Sequence, residues 1–264
     1  MQVQAISSRI IESNDDLFAV IDEAIDADPN LKGHLPENSV LAISSKIISY
    51  CQGRLVKKEL DPKAQKHALV RKEAELYTNP NSSKFDLMLS IKNSTLIVNA
   101  GIDESNASLN GESCFVLWPA KIQETLNGVW KYLRNKHNLK NFGVITTDSR
   151  SFPLRWGVVG TTIASCGFKS LNNHIGQQDI FGREMIMEQV NVAEALGVAA
   201  TFEMGEVAEK TPFVLVFDLK KVQFLDREPS EEELENSKID LKDDLYAALL
   251  IGVDWQKGDS HDNK

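Results

Sequence analysis

Cysteine is scarce in this chain of 264 residues: Cys51, Cys114 and Cys166 are the only three, and they stand far apart. With no CxxC pair and no histidines at zinc-finger spacing, neither a disulfide framework nor a structural zinc site is expected. Isolated cysteines of this kind pack as small hydrophobes. Basic charge is also short. Lysine and arginine total 29 against 38 aspartates and glutamates, a net charge of −9. That excludes the broad basic face needed to neutralise the phosphates of a nucleic acid. No apolar run approaches the roughly 20 residues that cross a bilayer, and residues 1–16 lack the apolar centre of a secretory leader. A cytoplasmic protein with neither nucleic-acid nor membrane partners is the expectation. A dinucleotide fingerprint is missing too, because Gly157-x-x-Gly160 lacks the G-x-G-x-x-G spacing and an acidic residue on a following strand. No internal repeat is present.

What remains is an ordinary globular composition, 42% hydrophobic and 25% charged, long enough for one large or two modest domains. Asn14 is placed to cap a helix whose apolar face is Leu17, Val20, Ile21, Ala24 and Ile25. A strand is expected over 40–43, a turn over 49–54, a helix over 62–77 and a hairpin from 87–91 and 95–98. Ile122, Leu126, Val129, Trp130 and Leu133 recur at helical spacing. A strand over 142–147 follows, then a helix over 184–203 rich in small residues that allow close approach to a sheet, then a strand over 213–217. Ser230 and Glu233 form a capping box, and a polar tail, 254–264, is expected to fray. Strands and helices alternate, so the fold class is α/β or mixed α+β. Residues 1–217 form the main domain, and 218–264 a C-terminal strand, acidic helix and tail.

The chemistry concentrates in two acidic segments, VNAGIDESNA (98–107) and ITTDSRSFPLRWG (145–157). Each follows an apolar run and breaks into a polar turn, setting Asp103 and Asp148 just beyond the carboxyl ends of the expected strands. α/β sheets hold ligands there. Two such carboxylates suit a divalent cation, since magnesium takes hard oxygen donors and keeps positions open for phosphate. Taken singly, each aspartate is better accounted for as a turn former bonding its own backbone. Gly101 and Gly205 suit a backbone close to phosphate or a φ above zero. Asp179 and Arg183 suit ligand binding or a mutual ion pair across one helical turn. His174, the only histidine near these turns, is given no role.

Five stretches in order, SSKIISYCQGR (44–54), NAGIDESN (99–106), VITTDSRSFPLRWG (144–157), GQQDIFGR (176–183) and EMGEVAEKTP (203–212), resemble the coenzyme F420-0:γ-glutamyl ligase family. The resemblance covers nearly all of residues 1–217. It implies a homodimeric α/β enzyme that joins the amino group of L-glutamate to an acceptor carboxylate, using GTP or ATP with Mg2+ or Mn2+. The implied acceptor is the deazaflavin precursor coenzyme F420-0, or a folate in a related branch. By position, Asp103, Asp148, the Ser149 hydroxyl and Glu206 look like the metal ligands. Ser45, Lys46, Asn106 and the segment Met204, Gly205, Glu206 to Thr211 look like nucleotide contacts, with Ser8 to Ile11 facing the nucleotide as well. Three departures stand out: Tyr50 replaces a phosphate-binding lysine, Ser151-Phe152 replaces glycine-arginine, and Ser149 replaces a threonine. They lean toward the folate-like branch.

A carboxylate acylates poorly, so a ligase of this kind first phosphorylates it and then lets the glutamate amine displace phosphate. That step depends on positioning and charge neutralisation. Arg150 and Arg155, in the same turn as Asp148, are the candidates for clamping phosphate or the acceptor carboxylate through a guanidinium fork; surface ion pairs are the alternative. Two other classes stay open. One is a nucleotide- or metabolite-binding homologue without turnover, favoured by Tyr50 but opposed by the retained oxygen donors. The other is a metal-dependent hydrolase.

Overall fold

The computed structural model describes residues 1–260. At its centre lies a five-stranded sheet in the order Gln2–Ile6, Phe213–Phe217, Ser39–Ser44, Phe142–Ser151, Val158–Cys166. Only Ser39–Ser44 and Phe142–Ser151 run parallel; the other pairs are antiparallel. The runs Val40-Leu41-Ala42-Ile43 and Phe213-Val214-Leu215-Val216 are apolar without alternation and wholly buried, as strands covered on both faces must be. Side chains alternate between those faces. Leu41 and Ile43 pack with Ile21, Leu126, Trp130 and Phe142 beneath the helices Leu17–Ala27 and Ile122–Lys136. Val40 and Ala42 pack with Leu196 and Ala200 of the helix Val192–Met204 on the other side.

The small residues of that last helix allow the expected close approach. A Cβ on Gly197 would lie 2.3 Å from the Thr162 hydroxyl, and one on Gly160 2.4 Å from the Thr201 hydroxyl. A second body is built from a four-stranded and a three-stranded sheet with the helix Pro62–Glu73. Its own core contains Val70, Met88, Ala100, Ile102, Phe115 and Leu117. The mixed α/β class is therefore observed. Cys114 and Cys166 are buried and Cys51 partly so, as small hydrophobes.

Several boundaries differ from expectation. Asp16, not Asn14, caps the first helix by accepting from the Ala19 amide at 2.9 Å, while Asn14 holds a left-handed φ of 66° two residues earlier. The helix expected to reach residue 77 stops at Glu73, because Leu76–Tyr77 pairs with the hairpin strand Leu89–Lys92. The helix expected from 184 starts at Val192. Residues 189–191 are drawn into a ladder with Leu171–Asn173, and Asn191 caps the helix through the Glu194 amide at 3.0 Å. The strand expected to end at 147 continues to Ser151 because Val158–Cys166 pairs with it throughout.

The C-terminal region is anchored rather than trailing. Phe224 bridges to Phe168, and Ser230 and Glu233 make the full capping box of the helix Glu231–Asn236. Gln256–Lys257, within the tail expected to fray, forms an edge strand on Leu76–Tyr77; residues 261–264 lie outside the described residues. No described helix is long and apolar enough to cross a membrane.

The cap assignment is directly testable by urea unfolding. Asp16→Ala is expected to cost about 1 kcal/mol. Asn14→Gly keeps the left-handed turn and is expected to cost only a few tenths. The reverse ranking would return the cap to Asn14.

Candidate functional site

The parallel pair ends in register, Ser44 opposite Thr147, and a cavity of about 910 Å3 opens at that carboxyl end. Three chain segments wall it. The Ser39–Ser44 strand turns directly into the helix Ser45–Cys51, which carries Lys46 and Tyr50. The hairpin strand Thr95–Val98 runs through the 3-10 turn Asn99–Gly101 to Asp103. The helix Val192–Met204 ends at Gly205, with φ 73° and ψ 173°. That conformation is essentially open to glycine alone, and a Cβ there would also lie 2.3 Å from the Glu209 carboxyl carbon. Glu209 accepts from the Val207 amide at 2.8 Å, and Thr211 donates to the Met204 carbonyl at 2.7 Å, so residues 204–211 close into a fixed loop.

Direct hydrogen bonds join these walls. Asn106 donates to the Val207 carbonyl at 2.5 Å, and the Ser149 hydroxyl donates to Glu206 at 2.7 Å. Asp103 is fixed through its backbone, which exchanges hydrogen bonds with Val116 at 3.0 and 2.8 Å. Its carboxylate accepts from the Glu104 and Ser105 amides and the Ser105 hydroxyl, and meets the Lys46 ammonium at 2.6 Å. Burial works against that charge. The Lys46 cation with the Ser105 hydrogen bonds outweighs it and holds the Asp103 carboxyl below its usual range.

Asp148 is treated differently. Its carboxylate accepts from the Trp118 indole N–H and, at 2.8 Å, from the Ser149 amide. Burial dominates and, helped by the Asp103 charge, pushes its pKa up to about 6 despite those two donors and Lys46. Asp148 lies within the strand, opposite Thr161, and not beyond its end as the sequence suggested.

Lys46, Asn106, Asp103, Asp148, Ser149, Met204, Gly205, Glu206 and Thr211 line this one cavity, as do Ser8 to Ile11 and Arg150. Ser45 is buried beside it at the start of its helix. Arg150 stacks over Phe152 at 5.0 Å, stands 3.7 Å from Glu194, and its Nε finds no hydrogen-bond partner among the described residues. Arg155 is not brought in. It sits on the hairpin tip and donates to the neighbouring Leu154 carbonyl at 3.0 Å.

Asp179 and Arg183 pair with each other at 2.8 Å, but in a tight turn and not on a helix. Asp179 closes that turn by accepting from the Phe181 and Arg183 amides. Gly101 and Gly205 both have φ above zero. What approaches Gly101 is the Trp118 indole, whose Nε1 would stand 2.2 Å from an added Cβ. Tyr50 plays a structural part. Its hydroxyl accepts from the Ser108 amide at 2.9 Å and donates to the Ser108 carbonyl at 3.3 Å. The sequence offered no signal for Trp118, whose partner lies 30 residues away.

The donor set suits a hard cation in kind: carboxylates and a hydroxyl, with no thiol or imidazole. Among the described residues, no three His, Cys, Asp or Glu side chains form a ready-made metal cluster. Magnesium needs no such cage, since one or two protein carboxylates with water and substrate phosphate satisfy it. Asp148, raised by burial and by a like charge, is a carboxylate short of a counter-ion.

The sequence profile of the F420-0:Gamma-glutamyl ligase family matches residues 5–218. The coenzyme F420:L-glutamate ligase of Methanopyrus kandleri is 27% identical over 228 residues, covering 80% of this chain and 84% of that protein. The Archaeoglobus fulgidus protein of the same name is 28% identical over 218 residues, 78% of this chain and 83% of its own. That of Methanocaldococcus jannaschii is 33% identical over a shorter 125 residues, 47% and 48% of the two chains.

The raised Asp148 pKa has a stability consequence with a definite sign. The folded value, about 6, exceeds the ordinary 3.8. Its charge therefore costs stability as pH climbs through that window and nothing below it, where both states are protonated. In metal-free buffer, Asp148→Asn is expected to gain on the parent by up to about 3 kcal/mol between pH 4 and pH 7, less whatever the lost Ser149 contact costs. Urea midpoints across that range check it; a difference flat with pH contradicts the buried charge.

Proposed function

The chain belongs to the F420-0:γ-glutamyl ligase family, and on that footing we propose that it is a nucleotide-dependent γ-glutamyl ligase, forming an amide between L-glutamate and an acceptor carboxylate. The observation that carries this is the convergence of the first acidic turn, the second acidic strand and the loop 204–211 on one cavity, joined by the Asn106–Val207 and Ser149–Glu206 hydrogen bonds. These are distant segments with oxygen donors and cations on facing walls, which phosphoryl transfer requires.

In the proposed reaction the γ-phosphoryl group of GTP or ATP passes to the acceptor carboxylate. The P–O bond to the β,γ-bridging oxygen breaks, a P–O bond to the carboxylate forms, and the nucleoside diphosphate leaves with the acyl phosphate in place. The glutamate amine then attacks the acyl carbon, making the C–N bond as the C–O bond to phosphate breaks, with inorganic phosphate and a proton released. Asp103, Asp148, Ser149 and Glu206 would hold Mg2+ or Mn2+, which when bound supplies charge neutralisation for phosphate oxygens. Lys46 is released from Asp103 to face phosphate. Asn106 and the closed loop from Met204 to Thr211 orient the nucleotide. Arg150, with an unengaged Nε, supplies a guanidinium fork for phosphate or the acceptor carboxylate. The acceptor is coenzyme F420-0 or a folate. A nucleotide-binding protein without turnover is the second interpretation, favoured by one observation: Tyr50, at the family's lysine position, is taken up by Ser108.

Homodimerisation is part of the same proposal. The hairpin tip presents Leu154 and Trp156 at 95% exposure each, an apolar surface that suits an interface. Its flanks, Ser151 and Val158, line the cavity, so a second copy seated on the tip lies against the site. Arg155, between the two exposed side chains, then serves the partner's cavity.

The product decides the activity. Glutamate, nucleotide and each acceptor in turn are expected to give an acceptor heavier by one glutamyl residue, with phosphate released only when acceptor is present. Nucleotide binding without product supports the binder, and acceptor-independent phosphate release a hydrolase. Asp103→Asn and Asp148→Asn are each expected to abolish turnover without loss of folding by circular dichroism; near-parental activity in either removes it from the ligand set. For the dimer, Trp156→Glu is expected to sediment as a monomer. A parent chain that is already monomeric contradicts the interface.

A further inference from the structure

Asp148 is held by a residue to which neither the motifs nor the comparisons point. Trp118 follows the strand Glu112–Val116, is 2% exposed, and sends its indole N–H to the Asp148 carboxylate. The other carboxylate oxygen accepts from the Ser149 amide. Trp118 is constrained at its ring and at its main chain. Gly101 leaves room for the indole, since any Cβ there would overlap the ring. At the main chain, the Arg54 Nε donates to the Trp118 carbonyl at 3.0 Å, and the Leu117 amide donates to the Arg54 carbonyl at 3.0 Å. Arg54 is itself fixed by Glu73 at 2.7 Å, and Glu73 also accepts from the buried ammonium of Lys92.

The choice of donor is chemically pointed. An indole N–H donates once, carries no charge and does not titrate in water. Placed on this partly buried carboxylate it fixes orientation without neutralising the anion, which a lysine in the same place would do. Asp103, with Lys46 against it, is the contrasting case. A carboxylate offers about four lone-pair directions, so the Trp118 and Ser149 donors leave one on each oxygen.

We propose that Trp118 is a positioning residue that orients the Asp148 carboxylate for a divalent cation, with Gly101 making room for the indole and the Arg54–Glu73–Lys92 chain holding the Trp118 main chain. This rests on the assignment of Asp148 as a cation ligand in the proposed function. Outer groups that orient ligands in this way raise metal affinity about 10- to 100-fold.

The test is Mn2+ binding to the full chain without nucleotide, read from the free-ion EPR signal. The parent is expected to bind saturably. Trp118→Phe keeps an aromatic ring beside Gly101 but removes the N–H together with part of the bicyclic ring; it is expected to lower the melting temperature, to stay folded by circular dichroism at the assay temperature, and to weaken Mn2+ binding about tenfold or more. A second measurement needs no variant. In 1H–15N spectra of the parent, the Trp118 indole resonance is expected to move as Mg2+ saturates, while that of Trp130, bonded to the Phe142 carbonyl, stays still. Parent protein that binds no Mn2+ overturns the cation assignment and this proposal with it. Saturable parent binding left unchanged by Trp118→Phe, or a Trp118 resonance indifferent to Mg2+, overturns the positioning role alone.

Discussion

Two carboxylates that repel each other are held in one cavity, at the end of a sheet buried on both faces, and the rest of the site is arranged around that conflict. Asp103 keeps its charge because Lys46 lies against it at 2.6 Å. Asp148 receives only neutral donors, Trp118 and Ser149, and its pKa climbs to about 6. One carboxylate is compensated and the other is left wanting a cation. A functional site commonly stores such a cost, and ligand binding relieves it.

The fold holds this arrangement because its strands cannot shift. Ser39–Ser44 and Phe142–Ser151 are pinned by apolar side chains on both sides, and a register slip would exchange the two faces. The helix Val192–Met204 lies close enough on the neighbouring strand that Gly160 and Gly197 have no room for a Cβ. Its end therefore delivers Gly205 and Glu206 to a fixed place. The second body contributes Asp103 through the Val116 bridge and Trp118 through the Arg54–Glu73–Lys92 chain. The cavity is thus a joint product of two cores.

Much of this was legible in the sequence, and the limits have physical causes. The face Leu17, Val20, Ile21, Ala24, Ile25 and the stripe from Ile122 to Leu133 were read correctly because helical periodicity is local. The extended residues 189–191 and the continuation of the strand to Ser151 were not, since each depends on a ladder with another strand; the cap at Asp16 was missed because Asn14 and Asp16 are both capping types and only the backbone conformation chooses between them. Five ordered motifs resembled the family, and residues 5–218 match it. Asp103, Asp148, Ser149 and Glu206 do line one cavity. Trp118 escaped notice because an indole-to-carboxylate bond has no short-range signature. Arg155 was placed by proximity to Asp148 in sequence, yet it does not line the cavity of its own chain and instead donates to the neighbouring Leu154 carbonyl.

Anomalous diffraction from crystals grown with Mn2+ and a non-hydrolysable nucleoside triphosphate tests the central claim most directly. The account predicts a manganese peak within about 2.5 Å of carboxylate oxygens of Asp103 and Asp148, with triphosphate oxygens completing the sphere. Manganese bound elsewhere, with both carboxylates still engaged only by protein donors such as Lys46 and Trp118, would contradict it.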